Sequence, residues 1–181
     1  MRRSILALGF ILAACASPPV AVTSTTLTAA DAATSLAVGE QVTELVSTQA
    51  AQEGMDPIVT LTLRHDDGRS LVLQQANHTN NDLAAQSAGG PLAQIMGLQQ
   101  GDELTTLYYA VEGEASQRAN APFLCGPQGP AAIGIYEGAD GVTQIVGLRE
   151  PIQFQTRPDG EPEAAPYSPD HVCARLRFRR G

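Results

Sequence analysis

From Asp56 onward apolar and polar residues alternate, with Val59, Leu61 and Leu63 separated by Thr60 and Thr62 and followed by Arg64. Strand side chains point to opposite faces in turn, so this period of two predicts a half-buried β-strand. His65-Asp66-Asp67-Gly68 supplies turn residues, including an Asp-Gly pair suited to tight hairpins, and Leu71 and Leu73 resume the alternation as far as Gln75. A β-hairpin is therefore expected. Polar residues 77–82 predict a loop, followed by short helices over Leu83–Ala88 and Pro91–Leu98, the second opened by a proline that fits a first helical turn.

Further apolar runs predict strands over Leu104–Val111, Ala132–Glu137, Val142–Leu148, Ile152–Thr156 and Val172–Arg179. Gly138-Ala139-Asp140-Gly141 reads as the turn of a second hairpin, and Pro158–Pro169 as a surface excursion rich in proline, glycine and acid. The region before Asp56 is less regular. Residues 16–28 carry no charge and no periodic apolar face, which predicts a flexible tether. Thr28-Ala29-Ala30-Asp31 has the character of a capped helix start. Val42, Leu45, Val46, Gln49 and Ala50 fit an amphipathic helix closed by Gly54, although Gly39–Thr43 also reads as a turn entering a strand. The expected fold class is mainly β or α+β: a single antiparallel sandwich or small partly open barrel with a few short helices.

The first residues follow a different logic. Arg2 and Arg3 precede a short apolar run from Ile5 to Ala14, and Leu12-Ala13-Ala14-Cys15 is followed by small and prolyl residues. A charged start, an apolar stretch and a small-residue exit are the parts of a secretory signal. The run is about half the roughly 20 residues that a spanning helix needs. Leu12–Cys15 resembles the lipobox of bacterial lipoproteins. That resemblance implies cleavage before Cys15, lipidation of its thiol, and an outer-membrane anchor facing the periplasm, since Ala16 stands where an aspartate would favour inner-membrane retention. The implied organisation is a signal peptide over 1–14, a lipidated cysteine and tether over 15–28, and one β-rich periplasmic domain over 29–181.

Loss of Arg2 and Arg3 with the signal takes the basic residues from 11 to 9 against 19 acidic ones, and the net charge from −8 to −10. Such a balance disfavours nucleic acid, whose phosphates are neutralised by lysine and arginine. With Cys15 committed to lipid, Cys125 and Cys173 form an even pair in an oxidising compartment, and a disulfide between them is expected.

Candidate chemistry is sparse. His65, Asp66 and Asp67 include residue types that bind metals or shuttle protons, but neighbours on a tight turn point in different directions, which favours a solvated hairpin tip. His78 lies in a polar loop, and His171 stands two residues from Cys173, whose disulfide would remove its sulfur as a ligand. No GxSxG nucleophile elbow or phosphate loop is present. Along the last strand Arg175, Arg177 and Arg179 alternate with Ala174, Leu176 and Phe178, which makes a row of guanidinium groups. The row either pairs across strands, for instance with Glu137 or Glu150, or forms an anion-binding strip.

Together these features predict a membrane-anchored, non-catalytic envelope lipoprotein that needs no cofactor and binds an envelope protein or polymer. A disulfide-bearing barrel that inhibits a basic lysozyme would be one example of that class, by analogy of fold. The competing expectation is a periplasmic hydrolase or metal-dependent enzyme using His65, Asp67 or His171.

Overall fold

In a computed structural model of the protein, the described residues are 20–38, 43–52, 55–65, 67–76, 83–84, 90–98, 106–110 and 124–181. The expected signal, Cys15, Asp66, His78 and most of the expected helix over Leu83–Ala88 lie outside them. The strands are β1 (Val20–Ala29), β2 (Thr43–Gln52), β3 (Met55–Arg64), β4 (Ser70–Gln75), β5 (Thr106–Ala110), β6 (Ala132–Glu137), β7 (Val142–Leu148), β8 (Phe154–Thr156), β9 (Pro162–Ala164) and β10 (Val172–Arg180). Helix α1 spans Ala32–Val38 and α2 spans Pro91–Met96.

The fold is the antiparallel, mainly β arrangement expected, in its barrel form. Neighbouring strands run β1-β10-β7-β6-β5-β4-β3-β2, and β2 returns to β1. The closing seam is short: β1 meets β10 at Leu27–Ala29 only, whereas β1 and β2 pair from Val20 to Leu27. Strands β8 and β9 form a separate two-stranded sheet inserted between β7 and β10.

Alternation explains the filling. Leu61 and Leu63 of β3 face Leu73 and Leu71 of β4, so the expected hairpin forms in the register its apolar positions demand. With Leu27, Ile133, Ile145, Leu176 and Phe178 they pack the interior, and Leu124 and Val38 join them. Each of these fully buried side chains contributes about 1.5–3 kcal/mol relative to exposure. Strands β6 and β7 are covered on both faces, which is why their sequences are apolar nearly throughout. Outside them lies a second cluster in which Leu92, Ala93 and Met96 of α2 meet Ala132, Val146 and Leu148. Gly134 permits this approach, because a β-carbon there would lie 2.4 Å from Leu92 Cδ1. Helix α2 stops at Gly97, whose φ of 70° and backbone N–H bonds to Ala93 and Gln94 satisfy its last carbonyls.

Three expectations are corrected. Residues 20–28, read as tether, belong to β1: Val and Thr are strand formers even without an apolar period, and β2 supplies their hydrogen-bond partners. Of the segment read as an amphipathic helix, Thr43–Gln52 is β2, held between β1 and β3, in line with the strand alternative, while residues 39–42 and 53–54 lie outside the described residues. The excursion over Pro158–Pro169 contains β9, paired with β8 after a turn at Gly160, where φ is 91°. The short helix does form, but begins at Ala32, because the Asp31 carboxylate accepts the N–H of Thr34 at 2.8 Å and so caps the first turn.

Candidate functional site

Of the candidate residues, His65 and Asp67 are brought together. The β3–β4 turn closes through His65 N–H to Arg69 O and Gly68 N–H to His65 O. His65 is buried, with Nε2 donating to the Val38 carbonyl at 3.1 Å and Nδ1 lying 3.2 Å from Asp67 Oδ1. Asp67 also accepts from Arg69 Nε at 2.6 Å and from the Arg69 backbone N–H at 3.0 Å. The Arg69 guanidinium, followed by that backbone bond, holds the Asp67 carboxyl far below the usual carboxylate range.

A carboxylate orienting a histidine is the skeleton of general-base catalysis, which also requires a ring nitrogen free to reach a substrate. Here Nε2 is bound to the last residue of α1 and Nδ1 faces the carboxylate, so the array clamps α1 to the hairpin. Its position also departs from expectation. Asp67 is at the solvated tip, but His65 is in the protein interior.

His171 stands elsewhere, in the single turn Pro169–His171 that precedes β10. Its Nδ1 is 3.6 Å from Glu150 Oε2, and its ring meets Tyr167 edge to face at 5.2 Å. Tyr167 donates to the Glu150 carbonyl at 2.9 Å. Burial, reinforced by the Glu150 charge, pushes the phenol up to about 12. Tyr167 was not a sequence candidate; only its spacing from His171 could have suggested a contact. Among the described residues no three His, Cys, Asp or Glu side chains gather as a metal site would require.

Cys125 and Cys173 are joined, with Cα atoms 4.8 Å apart. A β-bulge makes this possible: Val172 pairs with Leu148 and Ala174 with Gly147, which leaves Cys173 as the extra residue, re-aimed out of the ladder. Gly147 leaves room for the sulfur, since a β-carbon there would be 2.6 Å from Cys125 Sγ.

The arginine row is on the outer face of β10, as its alternation implied. Its members have separate partners. Arg175 donates to the Ile95 carbonyl at 2.5 Å and so fastens α2, while Arg177 is 3.9 Å from Asp31. The ion pair with Glu137 is made by Arg180, at 2.8 Å, and Glu150 is turned to His171. Arg179 is exposed and makes no ion pair among the described residues.

Compared with known proteins, the chain matches no family model, no curated protein and no solved structure.

Proposed function

We propose that the protein is a lipid-anchored envelope lipoprotein whose barrel is a non-catalytic binding or structural module. The observation that carries this reading is the polarity of the barrel. Leucine, isoleucine and phenylalanine fill the interior, while Arg64, Gln74 and Arg175 lie on exposed positions of the wall. A membrane-spanning barrel is organised in the opposite sense, with an apolar band outward and a polar lumen. A barrel filled in this way acts at its surface and in water, and an anchor outside the barrel is what would hold it to a membrane. The lipobox-like Leu12–Cys15 supplies that anchor, and the Cys125–Cys173 pair suits an oxidising, exported environment. Two acyl signals are enough for stable anchoring.

The reading is tested by labelling the full chain with a fatty acid in a bacterial host. Label is expected on the wild type and lost in Cys15→Ser. Equal labelling of the two would overturn the anchor. For the barrel, metal analysis and a hydrolase panel should be blank, and turnover abolished by His65→Gln or His171→Gln would replace the module with an enzyme.

A further inference from the structure

The short closing seam leaves part of the sheet outside the barrel. Among the described residues, 20–25 of β1 pair with β2 alone, and β3 pairs with β2 from Met55 onward but with β4 only from Thr60. The first half of β1, the second half of β2 and the first half of β3 thus form a three-stranded flap projecting past the wall. Pro57, which lacks an N–H, is in the part of β3 that has no second strand neighbour among the described residues, and it discourages further pairing there.

The register places Val20 opposite Ala50 and Ala50 opposite Ile58, and in the next row Val22 opposite Thr48 and Thr48 opposite Thr60. Val20 and Val22 are an odd number of residues from inward-facing Leu27, so these rows are on the outer face. Val20, Val22 and Ile58 are 56%, 63% and 36% exposed. Among the described residues Leu36 is the other large apolar side chain so exposed. On the same three strands, the Glu44–Arg64 ion pair, at 3.4 Å, is at the opposite end, and Asp56 is the charged residue of β3 nearest the flap rows.

The flap is also where the chain arrives from Cys15. Five residue steps separate Cys15 from Val20, a reach of at most about 18 Å. We infer that the outer face of this flap, Val20, Val22, Ala50 and Ile58, rests on the lipid surface at headgroup level beside the anchor. This rests on lipidation of Cys15. Because Asp56 is near the start of β3, two residues before Ile58, the surface the flap fits is zwitterionic rather than anionic.

The test uses the full lipidated chain in phosphatidylcholine vesicles, with a nitroxide at Val22→Cys, Ile58→Cys or, as a reference on the far sheet, Gln155→Cys. Collisions with an aqueous nickel chelate should be largely lost at 22 and 58 and retained at 155. A label at Thr48→Cys reads the same contact without altering the apolar residues, and adding Val22→Thr and Ile58→Thr should restore its nickel collisions. Equal nickel access at 22, 48, 58 and 155, with acylated Cys15 present by mass, overturns the flap contact and leaves the lipoprotein reading standing. Unacylated Cys15 overturns both. Spin–spin broadening between Val22 labels would instead show two copies pairing along the β1 edge, and would also overturn it.

Discussion

Single residues decide several contacts by their size or charge. At Gly134 an added methyl group meets the fully buried Leu92, so Gly134→Ala should destabilise by about 1–3 kcal/mol, seen as a lower urea midpoint. Thr143 presents the reverse case. It is fully buried, and its hydroxyl has no hydrogen-bond partner among the described residues, so Thr143→Val should stabilise by about 1 kcal/mol in the same assay. Asp31 and Asp67 both have lowered folded-state pKa values, the first through Thr34 and the second through Arg69. A lowered folded pKa means a contribution present above the unfolded value, about 3.9, and lost as pH falls through the folded one. Urea midpoints should therefore drop on acidification below about pH 4, and the double variant Asp31→Asn, Asp67→Asn should show a shallower drop. Both cap and turn roles have visible sequence signals, an acidic residue before a helix and an Asp-x-Arg turn. The partner of His65 does not, because Val38 is distant in sequence and offers only a backbone carbonyl.

At the scale of elements, alternation identified the β3–β4 hairpin because each of its half-buried strands carries its own pattern. β6 and β7 were found even though both of their faces are covered, since turn residues bound their apolar runs. Strand β2 was misread, because Leu45, Val46 and Ala50 fit a helical stripe as readily as a strand. Its neighbours β1 and β3, absent from any local window, settled the matter. Asp31→Ala isolates the contribution of one element: with the cap lost, α1 should fray and stability fall by about 1 kcal/mol by urea titration. Strand β10 shows how a regular pattern can mislead about role. Its arginines do alternate outward, but Arg175 and Arg177 fasten α2 and face Asp31, which only the packing of distant segments reveals.

For the whole molecule, the disulfide ties the segment before β6 to the start of β10 across 48 residues of chain. Closing such a loop limits the unfolded ensemble, so Cys125→Ser with Cys173→Ser should lower stability by at most about 4 kcal/mol, measured by urea titration of oxidised wild type against variant. The chain by itself determined the strand-rich class, both hairpins, the two cysteines to be joined and the lipobox-like start, because each follows from residue types within a few positions or from a simple count. The tertiary structure alone decided that β1 is part of the sheet, that a bulge presents Cys173 to Cys125, that His65 is buried as a clamp, and that three strands project beyond the barrel. Those outcomes depend on which distant segments meet. Ladder hydrogen bonds and burial are shared between strands, so no single stretch of sequence contains the information that assigns them.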